Sequence, residues 1–181
     1  KSLCYQLPAL LFENQTIVVS PLIALMDDQV IGLKDLGVKA ERVHSGISES
    51  KCTQIWEEFK NKEIKILYIS PESLMRKEML SALKPLNIRM FVIDEAHCIS
   101  KWGSDFRREY ELLKELQNHF PEAILSAFTA TADEETRADI NNKLTNGEGK
   151  IFLYGFNRPN LSLAVQQKTN NWKAQLFEFL V

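Results

Sequence analysis

Phe91-Val92-Ile93-Asp94-Glu95-Ala96-His97 is the stretch on which the fold turns. Three apolar residues, preceded by Met90, run without a break into two adjacent carboxylates. A strand with one wet face alternates apolar and polar residues. An unbroken apolar run is how a strand buried on both faces of a parallel sheet reads. Carboxylates at its end then lie at the carboxyl edge of the sheet, where open α/β folds bind their ligands.

Similar runs occur on either side. Thr16 to Val19, Val38 to Val43, Ile64 to Ile69, Ile124 to Phe128 and Ile151 to Tyr154 all read as strands, and helical patterns separate them. Ser20-Pro21 offers an N-cap and a first-turn proline, and Gly37 a C-terminal cap. Between them Leu22, Leu25, Met26, Leu33 and Leu36 can share a face. Ser48 to Lys60 carries Cys52, Ile55, Trp56 and Phe59 at helical spacing, with Trp56 expected in the core. Tyr110 to Phe120 places Leu112, Leu113, Leu116 and Phe120 likewise, and Pro121 stops it. Asp133 can cap a helix running to Leu144. This alternation predicts a doubly wound α/β sheet, mostly parallel, with helices on both faces.

The polar residues mark one rim. Ser20-Pro21, Ser70-Pro71-Glu72, Asp94-Glu95 and Thr129-Ala130-Thr131 each follow directly on an apolar run. Four strand ends carrying polar groups define a single functional edge.

Composition excludes several classes. The chain has 181 residues, 45% hydrophobic and 25% charged, enough for an α/β domain with a real core. The longest apolar stretch, Ile17 to Met26, is interrupted by Ser20-Pro21 and is too short to span a membrane. Cys4, Cys52 and Cys98 are widely spaced with no CxxC, so no disulfide framework or zinc ribbon is expected, and a reducing compartment fits. Cys98 beside His97 reads as a buried thiol, because two adjacent residues do not make a closed zinc site. The formal net charge of -2 limits nucleic-acid binding to local patches and predicts weak, salt-sensitive contact. Lys1-Ser2 opens straight into a helical pattern with no Met or leader, as in a chain cut from something longer.

Asp94-Glu95 after an apolar strand has the arrangement of a Walker B pair. The first carboxylate suits Mg²⁺, which keeps several waters, and the second suits orienting an attacking water. Lys1-Ser2 has the composition of a P-loop end, with Lys for β/γ-phosphates and a Ser hydroxyl for Mg²⁺. Its separation from Asp94 leaves room for the intervening β-α units of such a domain. Trp102 to Arg108 mixes aromatic, glycine and basic residues, which suits stacking on single-stranded bases, or equally a Trp and Phe packed beneath a loop. Thr129 and Thr131 could join strand and helix by hydroxyl hydrogen bonds or cap a helix. His44 and His119 read as surface or loop residues.

Taken in order, these segments resemble the first motor domain of the RecQ family of DNA helicases, in helicase superfamily 2. Lys1-Ser2 matches the end of motif I, and Val18 to Val30 resembles motif Ia. Tyr68-Ile69-Ser70-Pro71-Glu72 resembles motif Ib. Asp94-Glu95-Ala96-His97 is similar to motif II, Cys98 to Tyr110 to the aromatic-rich loop, and Phe128 to Ala132 to motif III. Phe156 to Leu161 resembles the segment that leaves the domain. The DEAH tetrapeptide alone would indicate only the superfamily; motif Ia and Trp-Gly-Ser-Asp-Phe-Arg make the resemblance specific to RecQ.

The resemblance implies a RecA-like P-loop NTPase sheet over residues 1–156, with 157–181 a linker and the start of a second RecA-like domain. It implies ATP and Mg²⁺ as cofactors. Lys1 and Ser2 would bind nucleotide, Ser2 and Asp94 the Mg²⁺, and Glu95 would activate water. His97 would relay nucleotide state to the aromatic loop. Trp102, Phe106 and Arg107 would sense single-stranded DNA, and Thr129 and Thr131 would link the ATP and DNA sites. Family members move 3′ to 5′ and unwind duplex DNA in repair and recombination, in the bacterial nucleoid or the nucleus. The family's arginine finger, zinc-binding and winged-helix regions have no counterpart in these residues, so zinc is expected only downstream and the isolated fragment should hydrolyse ATP poorly. Arg108 stands where the family often has proline. A superfamily 2 RNA helicase and a non-catalytic interaction module are the alternatives.

Overall fold

Five of the six apolar runs form strands, and all five lie parallel in one sheet. The computed structural model describes residues 1–101, 105–155, 159–162 and 164–180. These fall into two units, Lys1–Gly149 and Lys150–Val181.

The first unit begins with helix α1 (Leu3–Leu11) and strand β1 (Thr16–Val19). Then come α2 (Ile23–Asp35), β2 (Ala40–Val43), α3 (Glu49–Lys60) and β3 (Ile66–Ile69). Short helices α4 (Pro71–Leu74) and α5 (Lys77–Leu83) lead to β4 (Met90–Ile93). After it come α6 (Arg108–Glu111), α7 (Leu116–His119), β5 (Ile124–Ala127) and α8 (Glu134–Thr145). The strand order is β2-β3-β1-β4-β5. Thr16 pairs with both Ile66 and Met90, and Ile93 with Ala127, so the strand ends are level.

The unbroken apolar runs are explained by two cores, one on each face. Strand side chains alternate between faces. Ile17 and Val19 of β1, with Phe91 and Ile93 of β4, pack into a core that includes Ile55 and Phe59 of α3 and Ile140 and Leu144 of α8. Val18 and Val92 enter the opposite core with Tyr5 and Ala9 of α1 and Met26, Val30 and Leu33 of α2. Helices on both faces are therefore what buries β1 and β4 at every position.

Several expectations need correction. Ile151 to Tyr154 is not a strand; its four side chains are exposed and no described strand pairs with it. A short apolar run acquires strand structure only from a neighbour's hydrogen bonds. β5 forms but is only partly buried, since among described residues it pairs with β4 alone. α2 starts at Ile23, later than Ser20-Pro21 implies, and its buried stripe is Met26, Val30 and Leu33, while Leu22 and Leu36 are exposed. The same Ser-Pro signal holds at Ser70, whose hydroxyl accepts from the Ser73 amide with Pro71 opening α4.

The helix expected over Tyr110 to Phe120 is broken by a 3₁₀ turn, Leu112–Glu115, between α6 and α7. Its buried residues Tyr110, Leu113 and Leu116 recur every third position, the period of a 3₁₀ helix, and Leu112 is left outside. Asp133 caps α8 as expected, accepting from the Thr136 amide at 2.8 Å. In the second unit, Trp172–Leu180 forms helix α9. Among the described residues no helix is long and apolar enough to cross a membrane.

Candidate functional site

The strand order brings the rim together. β3, β1, β4 and β5 are consecutive neighbours, so Ser70, Ser20, Asp94 and Thr129 follow one another along the carboxyl edge of the sheet. Sequence spacing alone could not fix that adjacency; the crossover from β1 to β2 past β3 and that from β3 to β4 past β1 do.

Asp94 continues β4 by one more sheet bond, its amide donating to the Val19 carbonyl at 2.9 Å. It is 6% exposed. Burial pushes its carboxyl above the usual range, opposed by the hydrogen bond from the Glu95 amide and by the charge of Lys1. Glu95 then turns the chain sharply, with φ 49 and ψ 45, in the left-handed region that a side chain disfavours. The Ala96 amide donates to the Phe128 carbonyl at 2.9 Å, tying this turn to the end of β5. A short 3₁₀ helix, Ala96–Ile99, follows.

Lys1 reaches this turn across the sequence. Its Nζ lies 2.8 Å from Glu95 Oε1 and 3.9 Å from Asp94 Oδ1. α1 sets that position. Tyr5 packs against Phe128 at 5.3 Å between ring centroids, and the Gln6 amide donates to the Ser2 carbonyl. Ser2 is therefore the N-cap residue of α1, half-buried and next in sequence to the lysine that meets the acid pair.

His97 is central to a polar group. Its Nδ1 is 3.0 Å from Thr129 Oγ1 and 3.4 Å from Glu95 Oε2, and Nε2 is 3.8 Å from Asp105 Oδ2. Thr129 Oγ1 also accepts from the Thr131 amide at 3.3 Å. Thr129 thus faces His97 and is not a helix cap; Asp133 serves there. Thr131 itself is exposed.

Trp102 lies outside the described residues. Phe106 is half-buried, with Lys101 Nζ 5.9 Å from its ring centroid. Arg107 is half-buried and donates from Nη1 to the Pro21 carbonyl at 3.1 Å, so it joins the loop after β1 to the segment after Asp105. Cys98 is buried, as expected, and burial pushes its thiol up. His44 accepts from the Gly46 amide in a loop.

Sequence reasoning missed Tyr110, read as one member of an apolar helix. It is fully buried, and its hydroxyl donates to the Asp94 carbonyl at 3.0 Å. The available signal was a hydroxyl at the head of a stripe otherwise made of leucines and Phe120. No cluster of three or more His, Cys, Asp or Glu able to hold a metal occurs among the described residues.

A level parallel sheet, covered by helices on both faces and carrying a lysine and two acids at its carboxyl edge, defines a RecA-like α/β domain. The same fold occurs in the crystal structure of the DUF1998 helicase MrfA bound to DNA, with a TM-score of 0.62 over 81% of this chain and 22% of that one at 20% identity. Residues 1–140 match the DEAD/DEAH box helicase family, and the chain belongs to it. It is 42% identical over 168 residues to the ATP-dependent DNA helicase RecQ of Pasteurella multocida, covering 93% of this chain and 27% of that protein. To RecQ of Bacillus subtilis it is 40% identical over 174 residues, 94% of this chain and 29% of the relative. The chain thus spans a little over a quarter of the length of these relatives.

Proposed function

We propose that this chain is the first RecA-like motor domain, residues 1–156, of a RecQ-type ATP-dependent DNA helicase, with 157–181 leading into a second motor domain. The whole protein would couple ATP hydrolysis to 3′–5′ movement on single-stranded DNA and to duplex unwinding in repair and recombination. It would act in the nucleoid or the nucleus. The observation that carries this reading is Lys1 Nζ within 2.8 Å of Glu95 and 3.9 Å of Asp94. A lysine at the start of one helix meets two acids at the end of a strand 93 and 94 residues away, on the ligand-binding edge.

In this reading Lys1 leaves the carboxylates to bind the β/γ-phosphates of ATP. The Ser2 hydroxyl and Asp94 hold Mg²⁺, which neutralises phosphate charge when bound. The oxygen donors and the single buried carboxylate fit that ion. Glu95 orients the attacking water and accepts its proton. His97, between Glu95, Thr129 and Asp105, passes nucleotide state to the segment carrying Trp102, Phe106 and Arg107, which contacts single-stranded DNA. Thr129 and Thr131 connect that segment with the nucleotide side.

The test is Glu95→Gln in the full-length protein. ATP binding should persist while DNA-stimulated hydrolysis is lost; undiminished turnover removes Glu95 from the mechanism. Measuring stimulation by DNA and RNA oligonucleotides side by side separates a DNA motor from an RNA helicase.

A further inference from the structure

We infer that Tyr110 is a positioning residue for the acid pair: its buried hydroxyl holds the Asp94–Glu95 peptide in the orientation that aims Glu95 into the rim. This inference rests on the hydrolytic role proposed for Glu95.

Both ends of that one peptide are held. Its carbonyl accepts from Tyr110 Oη at 3.0 Å, and its amide donates to Asp94 Oδ1 at 3.0 Å. The residue beyond it, Glu95, has φ 49 and ψ 45. A side-chain-bearing residue stays in that region only when its surroundings over-determine it. Relaxing Glu95 toward a right-handed conformation requires the peptide plane to rotate, which carries the Asp94 carbonyl off the hydroxyl. The carbonyl is buried, so losing this donor leaves it unpaired, a cost that opposes the rotation.

The hydroxyl is not needed for packing. Tyr110 belongs to the core with Leu113, Leu116 and Phe91, where a phenylalanine ring would fill the same space. Burial pushes the phenol above its ordinary range, so the group is a neutral hydrogen-bond donor.

Tyr110 is itself positioned by the neighbouring segment. Its amide donates to the Arg107 carbonyl at 3.0 Å, the Arg107 amide to the Cys98 carbonyl at 2.9 Å, and the Arg107 guanidinium to the Pro21 carbonyl. A path of hydrogen bonds that each end on a main-chain carbonyl therefore runs from Pro21 through Arg107 and Tyr110 to the Asp94–Glu95 peptide. It is separate from the side-chain path through His97 and Thr129.

The experiment compares wild type, Tyr110→Phe, Glu95→Gln and the double variant in the full-length protein. DNA-stimulated ATPase, ATP affinity and thermal melting are measured for each. Y110F should lower kcat by roughly tenfold or more while KM for ATP moves by less than about threefold, the split expected when a transition-state interaction is lost. Its melting temperature should stay within a few degrees of wild type. In the E95Q background Y110F should add no further loss of single-turnover rate, because the tyrosine acts through Glu95. An unimpaired kcat, an effect that multiplies fully in E95Q, or a Y110F protein that does not fold overturns the assignment. A wild type without ATPase, or E95Q at full turnover, instead sinks the function proposed above. An active wild type, a dead E95Q and an unimpaired Y110F sink only the role of the tyrosine.

Discussion

Replacing Glu95 by glycine should stabilise this domain relative to Glu95→Gln, although both variants lose the carboxylate proposed to act in hydrolysis. The left-handed backbone at Glu95, φ 49 and ψ 45, costs a side-chain-bearing residue about 1–2 kcal/mol that glycine does not incur. Glycine loses more chain entropy on folding, which takes back about 0.5–1 kcal/mol. The remainder is roughly 0.5–1 kcal/mol in favour of the glycine. Both variants lose the Lys1 ion pair, which is a third exposed at the lysine and would be screened by solvent, so that contact cancels in the comparison. For a chain of 181 residues the difference corresponds to about 1–4 °C in melting temperature. Thermal unfolding of E95G and E95Q followed by circular dichroism in the same buffer measures it. An E95G protein that melts at or below E95Q would refute the claim that the turn stores strain for the sake of the carboxylate.

Three further outcomes follow from the same structure. Phe91→Ala removes a ring that is 1% exposed and lies tilted against Phe120, 4.8 Å between centroids; a loss of about 3–5 kcal/mol is expected, read as a lower denaturation midpoint with an unchanged slope. Asp94→Asn should melt higher than wild type at neutral pH. Burial raises the native carboxyl above its unfolded value, so wild-type stability is highest below the unfolded range and falls as pH rises through the raised value. The gain of the asparagine variant should therefore shrink as pH is lowered, and melts from pH 4 to 8 test this; a gain that grows on acidification would contradict it. In the full-length protein, Trp102→Ala should leave basal ATPase intact and abolish its stimulation by single-stranded DNA. Unchanged stimulation would favour a packing role for that residue.

How much of this was legible depended on the kind of force involved. The core strands could be read because burial on two faces removes every polar residue, as in Ile17-Val18-Val19 and Phe91-Val92-Ile93. Ile151 to Tyr154 has the same local composition, but strand formation needs a partner, and partners are not written locally. β5 looked equally apolar, yet its exposure follows from its place at one end of the strand order, a tertiary fact. The break in the helix after Arg107 was visible only in a spacing of three where a spacing of three and four was assumed. At the site, residue types announced Asp94, Glu95, Lys1 and the threonines. What they could not announce was which contacts are made through the backbone.

That distinction bears on how such a site works. The contacts between residues that the sequence singled out, Lys1 with Glu95 and His97 with Thr129, join side chains on the rim. Three contacts that were not legible end on main-chain carbonyls: Tyr110 on Asp94, Arg107 on Pro21, and Lys143 of α8 on Ile99 at 3.0 Å. A carbonyl acceptor leaves no mark on the residue that bears it, so Pro21 and Ile99 give no hint in the sequence. Yet these three bonds fix the path of the chain on either side of the acid turn, from Pro21 through to α8. Side-chain contacts at the rim can exchange partners when a ligand enters, because water and phosphate compete for them. The carbonyl bond at Asp94 is buried, has no such competitor, and breaks only if the backbone moves. The rim's side chains are thus carried on a turn held from beneath, and perturbing Tyr110 should reach Glu95 through the Asp94 carbonyl, without removing any side-chain contact on the rim.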